Sequence, residues 1–353
     1  MLKLTKAFTM AKEQKLEDVA RLAGVSIATA SLALSERGRI SADTRERVLN
    51  AALELGYRRK PKKQPIAEAR EQDIAVLFDI DPEWSMVLFL VRPIIQEMSR
   101  TFRQAGFNTV LLPISRSEPM AEILDQIRSS GAVGVVTIHF VSAELLLLLE
   151  SAGMPVVVVM NSSYQDRFYT VCVDDFQGAY EGTRFLIHAG HQRIGYVDCV
   201  RPDLPVLPID RFFGFSKAIE EYHLTFDSTM RRRLGLRDEH EDREALAGLL
   251  REHPDITAIF ALDDDLGVRV ATLLGKIGCQ VPRDLSMIAP GDMLDYSLCY
   301  VPPLTTMRID TTYMGRLAAQ MIVNRVVHNP QEVQVLKVKQ QLIRRGTVRS
   351  LRE

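Results

Sequence analysis

The residues in this chain with chemistry to offer are mostly carboxylates, and they stand at the ends of apolar runs. Asp263, Asp264 and Asp265 follow TAIFAL (257–262), Asp292 follows LSMIAP (285–290), and Asn161 follows PVVVVM (155–160). Arg211 lies in the loop-to-helix segment after RIGYVD (193–198), and Trp84, the single tryptophan, follows IAVLF (74–78). None of this is catalytic spacing. No Ser/His/Asp pattern, GxGxxG, Walker loop or metal-ligand spacing appears. Three consecutive acids do not all face one point, so they make no metal site. His139, His188 and His191 are scattered and read as structural histidines. Cys172, Cys199, Cys279 and Cys299 include no CxxC pair and read as thiols in a reducing, cytoplasmic setting. We therefore expect no catalytic residue, no metal and no cofactor. Asp, Asn and Arg are instead the fixed donors and acceptors that a hydroxyl-rich small molecule needs, and a tryptophan can supply its apolar wall. Plain packing is the other, and simpler, reading of Trp84.

Each of those runs is a continuous apolar segment, the pattern of a parallel strand covered on both faces. TVLLP (109–113) and GVVTI (134–138) add two more. Helical text lies between them, at 91–105, 119–130, 178–189, 241–252 and 265–277. This alternation predicts doubly wound α/β sheets. In such sheets ligands sit at the carboxyl ends of the strands, which is where Asn161, Arg211, Asp263 and Asp264 fall. Asp264 serves as well for a cap on the helix that follows. The stretch from Ile74 onward is too long for one sheet of this strand count, so two lobes are expected.

The chain has 353 residues, 46% hydrophobic and 25% charged, a globular composition with material for two or three domains. No apolar run approaches the roughly 18 residues of a membrane span. The opening MLKLTKAFTMAKEQ carries no sustained apolar stretch and no small-residue cleavage site, so export is not expected. Met10 is as good a start as Met1. The net charge of −1 conceals an asymmetry: residues 1–65 hold 14 Lys+Arg against 7 Asp+Glu, and the remainder 30 against 38. A basic head on an acidic body points to a polyanionic partner for the head.

The head has its own helical signals. Leu16, Val19, Ala20 and Ala23 recur at i, i+3, i+4 and i+7, and Gly24 ends that stripe. Ser26 fits the N-cap of a second helix running to Ser35, and Gly38 breaks it. Ser41 fits the next cap, with Asp43 in the first turn. Val48, Ala51, Ala52 and Leu55 then give a third helix its inner face, stopped by Gly56. Small residues at Ala20, Ala23 and Ala30 allow the first two helices to cross closely, as a helix-turn-helix requires.

Here the chain resembles the LacI/GalR family of bacterial transcription regulators. The resemblance rests on Asp18-Val19-Ala20, Ala23-Gly24-Val25-Ser26, Thr29-Ala30-Ser31, Ile40-Ser41, Thr44-Arg45-Glu46-Arg47-Val48 and Leu55-Gly56-Tyr57. In the body it rests above all on Val281-Pro282-Arg283-Asp284-Leu285-Ser286 and Val301-Pro302-Pro303-Leu304-Thr305-Thr306. It implies a helix-turn-helix head over 15–57 after an extension at 1–14, a hinge or linker at 58–72, and a two-lobed, periplasmic-binding-protein-like effector and dimerisation domain over 73–353. It implies that the second helix enters the major groove, with Ile27, Ala28 and Leu32 at base edges. Ser26, Thr29 and Ser31 would hold phosphates or nearby bases, and Arg39 would approach the backbone.

Ile27, Ala28 and Leu32 can make only apolar base contacts, best with thymine methyls; the other reading of Ile27 and Leu32 is that they belong partly to the core. In the linker the resemblance places Ile66 as a minor-groove wedge flanked by Lys62 and Lys63 on phosphates. Pro65 would open a hinge helix or break one under way, so a flexible basic tether is the other reading.

The resemblance makes Arg211 and Asp263 the foremost effector contacts and gives Asp174 either a ligand or a brace between lobes. It also exposes a departure: where the family shows Gly-aromatic-Asp-Asp, this chain has Ala289-Pro290-Gly291-Asp292. Asp292 is kept, and the ligand need not be a neutral hexose; a sugar acid, a sugar phosphate or a non-sugar metabolite also fits. The expected partners are double-stranded operator DNA, a carbohydrate-derived effector and a second copy of the chain, with no membrane. The competing reading is a solute-binding receptor with the same body and no DNA role.

Overall fold

The computed structural model describes residues 15–34, 40–55, 72–79, 87–115, 117–139, 142–200, 209–298, 302–330 and 332–352. Arg39, Lys62, Lys63, Ile66 and Trp84, together with the turns expected at Gly38 and Gly56 and the end of the second helix at Ser35, lie outside the described residues. Two compact units are distinguished, Met1–Ala69 and Arg70–Glu353.

In the first unit, α1 is Leu16–Leu22, α2 Ile27–Ala33 and α3 Ala42–Glu54. Gly24 turns the chain at φ +65°, a left-handed conformation that glycine adopts without strain. Ser26 caps α2, its hydroxyl accepting from the Thr29 amide at 3.0 Å. Ser41 does the same for the Thr44 amide at 3.3 Å. The buried core is Val19, Ala20, Ala23, Ala30, Ala33, Val48, Ala51 and Ala52. Five of these eight flank α1 and α2, and all but Val19 of those five are alanine, so small side chains dominate where the two helices approach.

The second unit alternates strand and helix: β1 Gln72–Asp79, α4 Val87–Gln104, β2 Phe107–Ile114, α5 Met120–Ser129, β3 Gly134–Ile138, α6 Ala143–Ser151, β4 Val156–Val159 and β5 Tyr169–Val173. Then follow α7 Asp175–His188, β6 Ile194–Cys199, α8 Ile209–Glu221, β7 Arg231–Leu234, α9 Glu239–Glu252, β8 Ala258–Ala261, α10 Asp264–Lys276 and β9 Ser286–Gly291. The chain closes with β10 Thr305–Arg308, α11 Thr311–His328, β11 Val335–Val338 and β12 Gln341–Ile343. The first sheet runs β11-β5-β4-β3-β1-β2 and is parallel throughout. The second runs β12-β10-β9-β8-β6-β7 and is parallel except where β12 meets β10.

Alternate residues of β1 enter different cores: Ile74 and Val76 face one side of the sheet, Ala75 and Leu77 the other. That two-sided burial explains the unbroken apolar text. The strands expected from the sequence all form, within two residues of the expected ends. Five others were not signalled. β7 is RRRL, an edge strand with no apolar run; β11 is a mostly exposed edge; β12 has three residues; β10 is four residues, two of them Thr; and β5 is a short buried strand, YTVCV.

The chain passes between the lobes three times, at Asp174 after β5, at Ile309–Asp310 after β10, and at Lys339–Gln340 after β11. α11 therefore packs on α4 in the first lobe although the strand before it belongs to the second.

Candidate functional site

On α2 the polar side chains are occupied with the helix itself. The Ser26 and Thr29 hydroxyls share a hydrogen bond of 2.8 Å. Ala30 and Ala33 are buried, while Ile27 and Leu32 are 50% and 45% exposed and Ala28 is exposed beside them. About half of each of Ile27 and Leu32 is open and half is covered, so an outward face and a partial place in the core both stand. Ser31 is half-buried on the same helix. The outward face is apolar, rimmed by hydroxyls.

In the body the candidates fall at strand ends of both sheets, and the second sheet gathers the charged ones. Arg211, in the first turn of α8, is buried; its Nε donates to Asp175 Oδ1 at 2.8 Å and its Nη1 to the Leu262 carbonyl at 2.7 Å. Burial works against its charge, but Asp175 and Asp263 outweigh that and hold the guanidinium pKa above its ordinary value. The structure thus brings Arg211 and Asp263 together beyond β8.

Asp263, not Asp264, is the N-cap of α10, accepting from the Leu266 amide at 2.8 Å. The capping role considered for Asp264 is corrected accordingly: its carboxylate points instead into the loop after β9. There Oδ2 accepts from the Met293 amide at 2.7 Å, the Leu294 amide at 3.3 Å and the Tyr296 hydroxyl at 3.2 Å. Burial raises its pKa to about 6, the amide bonds opposing.

This explains the departure at Gly291. Gly291 has φ +134°, and a Cβ there would stand 2.3 Å from Asp264 Oδ1. The space an aspartate side chain would fill is taken by Asp264 itself. Asp292 is no freer to meet a ligand. Its carboxylate accepts from Thr306 Oγ1 at 2.8 Å, Arg308 Nε at 2.5 Å and Arg345 Nη2 at 2.6 Å. Burial pushes its pKa up, but these three partners more than offset it and hold the carboxyl below its usual range.

At the first sheet, Asn161 follows β4 and is buried. Its Nδ2 donates to the His139 carbonyl at 3.2 Å and its Oδ1 accepts from Ser163 N at 3.0 Å. Asp174 caps α7 through the Gln177 amide at 3.1 Å, while its own amide donates to the Val338 carbonyl at 2.9 Å. Asp174 thus ties two of the three crossings to each other, as a brace would.

Two residues that the sequence did not single out as site residues complete this region. Asp175 receives Arg211, and Gln340 on the third crossing donates through Nε2 to the same Asp175 oxygen at 3.2 Å. The doubled Asp174-Asp175 was a signal for the first; nothing in the local text marks the second.

The scattered histidines are engaged in the fold. His191 is buried between Thr257 Oγ1 at 2.9 Å and the Arg349 carbonyl at 3.1 Å, and burial lowers its pKa. Among the described residues no group of three or more His, Cys, Asp or Glu is placed to hold a metal ion, and no helix is long and apolar enough to cross a membrane.

Comparison with known proteins gives two family matches. Residues 15–60 match the description "Bacterial regulatory proteins, lacI family", and residues 183–348 match "Periplasmic binding protein-like domain". The HTH-type transcriptional repressor PurR of Haemophilus influenzae (strain PittEE) is 28% identical over 349 residues, 95% of this chain and 99% of that protein. The HTH-type transcriptional regulator GalS of Salmonella typhimurium is 27% identical over 316 residues, covering 87% and 88%. Among solved structures, the transcriptional regulator CelR–cellobiose complex superposes with a TM-score of 0.66 at 26% identity, covering 95% of this chain and 99% of that one. The lac repressor dimer bound to operator and an anti-inducer superposes with a TM-score of 0.64 at 22% identity, over 96% and 100%, and supports the fold.

Proposed function

We propose that the chain belongs to the lacI family of bacterial regulatory proteins as a DNA-binding transcriptional regulator with an effector-binding domain, and that it is a cytoplasmic repressor working as a homodimer, not an enzyme. The observation that carries the proposal is the pairing, in one chain, of a capped helix with an outward apolar face and a two-sheet body whose strand ends gather a buried Arg and Asp. We take 15–57 as the DNA-binding head, 58–72 as the hinge and 73–353 as the effector and dimerisation domain.

Two heads would read the halves of a pseudo-palindromic operator. Ile27, Ala28 and Leu32 face the bases through thymine methyls, and Ser26, Thr29 and Ser31 hold the phosphate side. Lys62, Lys63, Ile66 and Arg39 are proposed on the strength of the family pattern alone.

The effector would lie between the lobes against Arg211 and Asp263, with Asn161 on the first-lobe side; Trp84 is proposed from its place in the sequence alone. Arg211 Nη2 makes no hydrogen bond among the described residues, which suits it to a carboxylate, phosphate or hydroxyl. Asp174, Asp264 and Asp292, also considered as contacts, have carboxylates committed to the frame and shape the site without needing to touch the ligand. The cellobiose bound by one structural relative points to a carbohydrate-derived molecule, and the guanidinium widens that class to sugar acids and phosphates. Ligand-favoured closure of the lobes would change operator affinity by the difference in binding energy between states, typically about 1–3 kcal/mol.

A thermal-shift screen of sugars, sugar acids and sugar phosphates, followed by operator-binding measurements at fixed salt, tests this. A hit whose binding survives Arg211→Ala unchanged would overturn the assignment of the pocket.

A further inference from the structure

We propose that the head reads the C5-methyl group of pyrimidines as such, so that 5-methylcytosine serves where thymine does. Cytosine methylation of DNA is then a second input to binding, beside the small molecule. This rests on the proposed place of α2 in the major groove and goes beyond it by naming the group that is read. Three observations assign it.

First, α2 has no side chain that chooses between base pairs by hydrogen bonding. Its sequence is IATASLA. It lacks Arg, Lys, Asn and Gln, which pair bidentately with guanine or adenine, and Asp and Glu, which accept from cytosine. The Ser26 hydroxyl accepts from the Thr29 amide at 3.0 Å and shares a hydrogen bond of 2.8 Å with the Thr29 hydroxyl, so both are held at the helix start. Ser31 is half-buried, and a hydroxyl that can donate or accept does not tell one base from another.

Second, what α2 presents instead is hydrocarbon. Ile27 is 50% exposed, Leu32 45%, and Ala28 is exposed beside them. Ile27 and Ala28 open the helix, where a recognition helix meets base edges. Ala28 and Leu32 are four residues apart, about 6 Å along the axis, close to two base steps of roughly 3.4 Å. Apolar side chains over two steps exclude water from what lies beneath, and the apolar group on the major-groove edge is the pyrimidine C5-methyl.

Third, such a face separates bases by their methyl and by little else. Thymine and 5-methylcytosine differ on the groove edge by an O4 acceptor against an N4 donor. An apolar side chain pairs with neither and desolvates both, so it penalises the two alike. Thymine against uracil, and 5-methylcytosine against cytosine, differ by the methyl it buries. Attraction to the duplex comes from elsewhere: residues 1–65 hold 14 Lys+Arg against 7 Asp+Glu, and phosphate contacts carry no sequence information. That charge fits the apolar face to a duplex rather than to another protein.

In the test, a random-sequence duplex library is enriched on the full-length protein. An enriched site is then remade, at each thymine within its footprint, as four pairs: T·A, U·A, C·G and 5-methyl-C·G. Affinities are compared at one salt concentration. Loss of the methyl should weaken binding about fourfold at each contacted position, the scale of one buried methyl group. The factor should be the same in both pairs, and T·A and 5-methyl-C·G should differ by less than that factor. Ile27→Ser and Leu32→Ser should each bring it close to one at a single position, while the slope of log affinity against log salt stays unchanged. The methyl comparison alters the DNA alone, so it holds whatever a variant does to folding. Uracil binding as well as thymine at every position, or 5-methylcytosine binding no better than cytosine, would overturn the proposal and leave α2 as a DNA reader. Methyl effects unmoved by both serine variants would overturn it by giving the apolar face another occupant, such as a protein. A library from which nothing is enriched would overturn the DNA reading itself, and the proposal with it.

Discussion

On α2, the residues that point outward stand at the surface: Ile27, Ala28 and Leu32 lie over a core of alanines and valines. At the strand ends of the second sheet every candidate does something structural as well. Arg211 holds Asp175 and Leu262, Asp263 caps α10, Asp264 gathers the loop at Met293–Tyr296, and Asp292 binds two arginines. The difference is one of burial. An exposed face contacts a partner without having to be solvated by the fold, so its chemistry can vary cheaply. A buried charge must be paired before any ligand arrives, so the cleft and the stability of the body are one design. Substitutions in the head should therefore change binding alone, and substitutions in the cleft should change stability first.

The largest effect is expected at Asp292. Its carboxylate is 5% exposed and Arg345 beside it is 19% exposed, so Asp292→Ala leaves a mostly buried guanidinium unpaired. A loss of about 3–5 kcal/mol in stability is expected from denaturant unfolding. A loss below about 1 kcal/mol, the range of exposed pairs, would remove the contrast between the two regions.

Asp264 sharpens it through pH. Its carboxyl sits at about 6 in the folded protein against an ordinary 3.8, so the folded state binds this proton more tightly than the unfolded chain. The resulting stability is fully present below the unfolded value and is lost as pH rises through the folded one. Measured against Asp264→Asn, which cannot titrate, the wild type should gain about 2 kcal/mol on going from about pH 7 to about pH 4.5. A difference that stays flat with pH would mean that this carboxylate is hydrated and the loop is open.

The smallest effect on stability belongs to Ile27. Ile27→Ala should shift unfolding by no more than about 0.5 kcal/mol, yet relax base preference at one operator position by about 1–3 kcal/mol in a binding selection. Unchanged preference would remove Ile27 from the reading face.

The parts legible in the sequence are those set by local pattern. Continuous runs such as GVVTI and PVVVVM specify strands because both faces are covered, and Ser26 and Ser41 mark helix starts because a hydroxyl must meet the free amides. β7 was not legible, since its Arg side chains are there for Asp198 in the neighbouring strand rather than for a core. Nor was the division of labour between Asp263 and Asp264. Adjacent acids look alike in one dimension, and only the loop from Gly291 to Tyr296 decides which is the cap and which is buried. Gln340 was invisible for the same reason: its partners, Gln177 and Asp175, are separated from it by the whole second lobe.

The central claim is that a small molecule held by Arg211 and Asp263 governs what α2 does on DNA. It is tested most directly by measuring operator affinity at one fixed salt concentration, with and without a ligand from the metabolite screen, for the wild type and for Arg211→Ala. The account predicts that the ligand shifts wild-type affinity by about 5- to 150-fold and leaves the affinity of Arg211→Ala where it was. An equal shift in both proteins, or none in the wild type, would contradict it.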